Sequence, residues 1–212
     1  MFQYAAYGAI SAFIGTVIYS NLPTRYTLGN VVPTVAYLAD APLKKIDSEK
    51  DEKLLYLMFC QAASLFEESP VLVMAVRRPG CSFCRHQAKL LGDISDKLDG
   101  AGVHMIGVLH ETMGAKEFQK FFKGDLYFDP EKRFFGPSQR WMPLWMGALR
   151  FSTYFNGYRT SRANIKGNFI GEGRLLGGIY LINKNQMVFA HLEQEWGDQV
   201  DTAAILEAVK NL

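Results

Sequence analysis

At 212 residues with 49% hydrophobic side chains, the chain is long enough to bury one substantial core and too apolar to be disordered over most of its length. Its 23 basic and 21 acidic side chains give a net charge of +2 and are dispersed, which excludes the concentrated basic surface of a nucleic-acid-binding protein. Three cysteines are too few for a secreted disulfide scaffold and suit a reducing compartment.

Phe2 through Tyr19 carry no charged side chain, and Ile10, Phe13, Ile14, Val17 and Ile18 bring this stretch close to a short membrane-spanning helix. Tyr4, Tyr7 and Tyr19 suit membrane interfaces and Gly8, Ala12 and Gly15 suit close helix packing, whereas Gln3, Ser11 and Thr16 oppose lipid burial. No Lys or Arg precedes the stretch, unlike the start of a signal peptide. Residues 1–20 thus read as a membrane anchor, a cleaved targeting segment or an apolar helix packed on the domain. Arg25, Lys44 and Lys45 favour the cytoplasmic side for the downstream domain if residues 2–19 are an anchor. The expectation is a cytoplasmic redox domain with membrane contact through residues 2–19.

Residues 21–50 read as a connector, interrupted by Pro23, Gly29, Pro33 and Pro42 and strongly charged from Lys44 to Lys53. The main domain is expected over 51–212. A helix at 53–67 places Cys60 on the apolar side of Leu54, Leu55, Leu57, Met58, Ala62 and Leu65, and the run Val71–Val76 reads as a buried strand. The next helix carries Leu90, Leu91, Ile94 and Leu98 on one face and exits at Gly100 and Gly102. Val103–Val108 follow as a strand, then a helix around 114–123, a short strand at Leu126–Phe128 and a short helix opening at Asp129-Pro130. After an excursion from 138 to 176, Ile179–Ile182 and Met187–Ala190 bracket a hairpin, and Asp201 caps a last helix with Ala204, Ile205, Leu206 and Val209 on its apolar face. This alternation predicts an α/β fold, a sheet with helices on both faces.

Cys81-Ser82-Phe83-Cys84 stands directly after the Val71–Val76 strand, between Arg77-Arg78-Pro79-Gly80 and Arg85-His86. Free first-turn amides, a positive helix end and nearby arginines all favour a Cys81 thiolate. Cys81 is therefore the expected redox nucleophile, more accessible than Cys84, and Cys84 the expected resolving thiol one turn along. Strand alternation keeps Arg77 and Arg78 from pointing to the same face. A zinc site is the competing reading of the pair, but there is no second CxxC, and Cys60, His86, His104, His110 and His191 form no ligand pattern. Glu193 and Glu195 read as surface or capping residues, with proton handling near the thiols as the alternative.

The stretch Ala75–Arg85, together with Phe121-Phe122-Lys123-Gly124, Phe134-Phe135-Gly136-Pro137, Gly171–Gly178 and His191–Asp198, resembles the peroxiredoxin-like 2 family over about residues 52–212, and within it the 2A branch. The resemblance implies a thioredoxin-like sheet, a redox-active pair at Cys81 and Cys84, and an antioxidant role. Arg78 stands where a typical peroxiredoxin carries a threonine three residues before its reactive cysteine, and it joins Cys81 and Cys84 as the expected catalytic set. Gly177-Gly178 stand where a thioredoxin carries a cis-proline. A related branch includes the prostamide and prostaglandin F synthase.

The function expected is thiol-dependent reduction of a peroxide or protein disulfide, with no tightly bound cofactor or metal and an external reductant such as a thioredoxin or glutathione system. The alternatives are reduction of a lipid endoperoxide, or a redox sensor without rapid turnover. Trp141, Trp145, Phe151, Tyr154, Phe155 and Tyr158 make the 138–176 insertion aromatic-rich, reading as supplementary core or membrane-facing surface, as a lipid groove or as a partner surface. Arg150, Arg159, Arg162 and Arg174 are candidate carboxylate anchors there.

Overall fold

The computed structural model describes residues 2–46 and 56–212, with side chains described for 4–46 and 60–212. Helices α1 (Phe2–Asn21), α2 (Thr24–Thr27) and α3 (Val35–Ala39) precede strand β1 (Pro42–Ile46), and β2 (Tyr56–Gln61) leads into α4 (Ala62–Glu67). Then come β3 (Val71–Val76), α5 (Ser82–Gly92), α6 (Ser95–Gly100), β4 (His104–Leu109), α7 (Ala115–Gln119) and β5 (Asp125–Phe128). A 3-10 turn at Arg133–Phe135, helices α8 (Leu144–Leu149) and α9 (Phe151–Arg162), the hairpin β6 (Gly178–Asn183) and β7 (Gln186–Leu192), and α10 (Thr202–Val209) complete the chain.

The sheet order is β2-β1-β5-β4-β3-β6-β7. β3, β4 and β5 run parallel in the middle, and antiparallel strands flank them on both sides. Every residue of β3 is buried. Leu72, Met74 and Val76 face one core with Ala88, Leu91, Leu98, Phe118 and Ile205, whereas Val71, Val73 and Ala75 face a second core with Leu38, Phe66 and Phe134. This two-sided burial is why the strand reads as a continuous apolar run and not as an alternating one. The thioredoxin-like α/β sheet with helices on both faces is thus present.

Several segments fold differently from the sequence expectation. The helix expected at 53–67 is instead β2 followed by α4, because Tyr56–Gln61 pairs antiparallel with β1. Sheet pairing overrides the helical spacing of the apolar residues. The strongly charged stretch after Ile46, the expected domain start at Asp51, and Leu54 and Leu55 lie outside the described residues. Within the expected 21–50 connector, β1 lies inside the sheet between β2 and β5. The helix expected to carry Leu90 through Leu98 is broken at Asp93 and Ile94 into α5 and α6.

Membrane association through residues 2–19 is not supported: among the described residues no helix is long and apolar enough to cross a membrane. α1 has the length, but Gln3, Ser11, Thr16 and three tyrosines dilute its apolar side chains. Its C-terminal end docks on the fold. Asn21 Nδ2 donates to the Leu149 carbonyl at 2.9 Å, the Phe151 amide donates to Asn21 Oδ1 at 3.0 Å, and Tyr19 stacks on Trp145 at 6.3 Å between centroids.

The 138–176 segment forms α8, α9 and the return to β6, and its aromatic residues do not gather into a cluster. Phe151, Tyr154, Phe155 and Tyr158 are exposed, whereas Met142, Met146 and Leu176 form a small buried group with Leu28 and Trp196 against it, and Leu175 joins the second core. Leu72→Ala, at a fully buried position between the sheet and α5, should lower unfolding free energy by about 2–5 kcal/mol in a denaturant titration.

Candidate active site

β3 delivers the chain to a tight turn. The Cys81 amide donates to the Arg78 carbonyl at 3.1 Å, and the Arg85 amide donates to the Cys81 carbonyl at 3.0 Å to open α5. Cys81 is the extended N-cap residue of α5, with φ −74° and ψ 129°. A segment from 165 to 174 crosses over this turn. The Asn168 amide donates to the Gly80 carbonyl at 2.7 Å, and Arg85 Nη1 donates to the Lys166 carbonyl at 3.0 Å. A side chain at Gly167 would collide with the Ser82 backbone, so this crossing requires glycine.

Both thiols are buried, Cys81 at 3% exposure and Cys84 at 5%, so the expected greater accessibility of Cys81 does not hold. The overlying 165–174 segment and the side chain of Arg77 account for this. Arg77, at the end of β3 and itself 3% exposed, donates from Nη2 to Cys81 Sγ at 3.1 Å. Its Nε donates to Glu193 Oε1 at 3.1 Å, and its Nη1 donates to the Gly173 carbonyl at 2.8 Å. Glu193 Oε2 in turn accepts from the Gly177 amide at 2.9 Å.

These contacts set the proton affinities of the pair. A hydrogen bond from the Cys84 thiol lowers the Cys81 pKa well below its ordinary value, against the opposing effect of burial, and the Arg77 charge, the Cys84 amide and Arg78 add to the lowering. Cys84 is raised well above the ordinary thiol value by donating that bond, by burial and by the Cys81 charge. Burial acts against the Arg77 charge, but Cys81 and Glu193 outweigh it and keep the guanidinium protonated. Burial raises the Glu193 carboxyl, with Arg77 opposing. These opposite shifts favour the negative charge on Cys81 and the proton on Cys84.

Arg78 occupies a different place. Its guanidinium lies over the Phe169 ring at 5.6 Å, and its Nε has no hydrogen-bond partner among the described residues. The alternation that makes Arg78 share a face with Leu72, Met74 and Val76 stops being a guide once β3 ends at Val76 and the chain turns. The sequence leaves open whether Arg77 or Arg78 meets the sulfur and reads Glu193 first as a surface or capping residue, because a second arginine at the strand end and an acid in the hairpin exit are too common to decide alone. His86 bonds through Nδ1 to Thr160 Oγ1 at 3.1 Å and to Gln199 Nε2 at 2.8 Å, away from the thiols. His110 donates from Nε2 to the Arg77 carbonyl at 2.7 Å. Among the carboxylate-anchor candidates, Arg174 pairs with Glu172 at 2.6 Å and Arg150 with Glu195 at 3.1 Å. No cluster of metal-ligating side chains occurs among the described residues.

Cys81 lies at the foot of a cavity of about 460 Å³ whose walls include Phe83, Leu144, Phe169 and Trp196, with Arg77, Arg78 and Arg174 as its charged members beside Glu172. A family model described as AhpC/TSA antioxidant enzyme matches residues 90–195. Peroxiredoxin-like 2A of Rattus norvegicus is 38% identical over 180 residues, covering 83% of this chain and 75% of that protein. The protein of the same name from Danio rerio is 37% identical over 210 residues, covering 97% and 94%. The chain belongs to the peroxiredoxin-like AhpC/TSA family, close to its 2A branch.

Membership makes it a thiol-dependent redox enzyme of the peroxiredoxin-like kind. The solved structure of reduced Prx3 from Vibrio vulnificus in complex with H2O2 superposes with a TM-score of 0.52 at 14% identity, over 84% of this chain and 99% of that one. A peroxiredoxin-like protein from Aquifex aeolicus superposes with a TM-score of 0.50 at 12% identity, over 87% and 90%. At these identities the likeness concerns the fold. The match of this peroxiredoxin-like protein to the family model begins beyond Cys84.

Arg77→Gln should leave Glu193 buried without its cation, lowering stability by about 3–5 kcal/mol and slowing Cys81 alkylation at neutral pH by about tenfold or more. Arg78→Gln should change both far less. Chemical denaturation and iodoacetamide kinetics followed by peptide mapping read the two effects separately.

Proposed function

We propose that the protein reduces a hydroperoxide, with Cys81 as nucleophile and Cys84 as the resolving thiol. The observation that carries this reading is the 3.1 Å contact from Arg77 to the Cys81 sulfur, which holds a thiolate at the foot of a cavity. The thiolate attacks the distal oxygen of ROOH, the O–O bond breaks, Cys81 becomes the sulfenic acid with the hydroperoxide's own hydrogen on its oxygen, and the alkoxide takes a proton from solvent to leave as ROH. Cys84 then displaces the sulfenic oxygen as water to give the Cys81–Cys84 disulfide, and an external dithiol or two equivalents of glutathione return both thiols. Arg77 also neutralises the charge that develops along the reacting S–O–O axis, a role Arg78 supports from further off.

A second reading, reduction of a lipid endoperoxide at the same sulfur, draws support from the apolar walls Phe83, Leu144, Phe169 and Trp196. Product analysis with an endoperoxide and with small hydroperoxides in parallel separates the two. Endoperoxide turnover without hydroperoxide turnover would replace the first reading with the second.

In an assay with recycled thioredoxin or glutathione, Cys81→Ser should reduce hydroperoxide turnover to the uncatalysed rate. Cys84→Ser should still consume one equivalent of peroxide and leave a sulfenic acid at Cys81 that dimedone traps. Turnover undiminished in Cys81→Ser would sink the proposal. The pH dependence has a definite sign. Because the Cys81 pKa is lowered in the folded protein, its rate of oxidation should hold through neutral pH and decline only as pH falls through that lowered value. The stability contributed by the thiolate follows the same course, present above the unfolded thiol value near 8.5 and lost on acidification.

A further inference from the structure

In the reduced protein the Cys81 pKa is lowered and the Cys84 pKa raised, with hydrogen bonding between the two sulfurs the largest cause of each shift, so Cys84 is the thiol that keeps its proton. Oxidation of Cys81 turns that sulfur's lone pair into an S–O bond and removes the acceptor, yet Cys84 must lose its proton to attack. Cys84 is 5% exposed, and bulk water does not reach it freely. A second, small cavity of about 30 Å³ lies beside it, lined among others by Arg77, Cys84, His191, Glu193 and Asp198. That volume holds about one water molecule, and its polar lining gives such a water several partners.

We propose that His191 is the general base for disulfide closure, taking the Cys84 proton through a water in this cavity. The inference rests on the reading that Cys81 is oxidised first. The titratable groups around the cavity come from every element that encloses it: Arg77 from the end of β3, Cys84 from α5, His191 from β7, Glu193 just beyond it and Asp198 from the loop after β7. The β6 wall supplies only Gly178 and Ile179. Arg77 is a cation with no lone pair to offer. Glu193 is the ion-pair partner of Arg77, whose Nε donates to one oxygen while the Gly177 amide donates to the other. Asp198 Oδ2 accepts the Gln194 amide at 2.8 Å.

His191 Nε2 is different, since it is shielded from solvent and has no aligned hydrogen-bond partner among the described residues. Asp198 Oδ2 lies 3.2 Å from the same nitrogen and stabilises the imidazolium once the proton arrives. The step balances. The Cys84 S–H proton passes through the water to Nε2, the thiolate attacks Cys81 sulfur, the S–O bond breaks, and the departing hydroxide is protonated to water as the imidazolium returns its proton.

Closure can be followed from two starting points. In one, reduced full-length protein receives one equivalent of hydroperoxide, and sulfenic acid and disulfide are quantified by mass spectrometry after rapid quenching. In the other, Cys81 is loaded with glutathione as a mixed disulfide, and Cys84 releases glutathione as it closes the same bond. His191→Gln should oxidise Cys81 within about twofold of the wild-type rate but close the disulfide at least about tenfold more slowly from both starting points. Added imidazole should restore part of the lost rate in His191→Ala. Wild-type closure rates in His191→Gln would overturn the proposal, as would a slow His191→Ala that imidazole does not rescue, since that marks a structural role. A wild-type protein that closes from the glutathione adduct but is never oxidised by hydroperoxide would refute the hydroperoxide reading, while the glutathione release rates still decide the role of His191.

Discussion

The guanidinium of Arg77 is the contact on which the site depends. One planar group reaches the Cys81 sulfur from α5, the Glu193 carboxylate beyond β7 and the Gly173 carbonyl of the overlying segment, while its own backbone belongs to the end of β3. Arginine suits this position because its fork has donors in fixed directions and keeps its charge when buried. Three of those donors are used here, and Trp196 packs near the charge at 5.9 Å. A buried ion pair of this kind adds little net stability over apolar packing, but removing one member is costly. The arrangement therefore makes folding and thiolate formation depend on the same group.

The second constraint is the close backbone crossing at Gly80 and Gly167. It ties the 165–174 segment over the dithiol turn, while Cys81 lines the cavity beside it. Exclusion of water strengthens every electrostatic interaction at Cys81, since the Arg77 contact operates in a medium of lower dielectric constant. The hydrogen bond to Cys81 and then burial raise the Cys84 thiol, so two residues three positions apart differ in proton affinity.

Much of this was legible in the sequence. The buried run Val71–Val76, the hairpin around Lys184-Asn185 and the cap at Asp201, whose carboxylate accepts the Ala203 amide at 2.9 Å, follow from local patterns that tertiary contacts reinforce. The dithiol was legible because a strand, a turn and a helix start coincide at Cys81. What was not legible depends on distant partners. β2 exists because β1 pairs with it, and nothing in the Tyr56–Gln61 spacing announces that partner. Arg77 rather than Arg78 reaches the sulfur because the chain turns after Val76, and Glu193 meets it across more than a hundred residues of sequence. The aromatic residues after 138 and the apolar residues of α1 are plain in the sequence, but their exposure was decided by how α8 and α9 pack.

Ultraviolet titration of thiolate absorbance in the reduced full-length protein, repeated in Cys81→Ser and Cys84→Ser, tests most directly whether the charge resides on Cys81. The account predicts a thiolate step well to the acid side of an ordinary cysteine in the wild type, absent from Cys81→Ser and displaced upward, but still present, in Cys84→Ser, where the donated thiol hydrogen bond is changed. An acid-side step that survives in Cys81→Ser and vanishes in Cys84→Ser would contradict it, since the charge would then belong to the other sulfur.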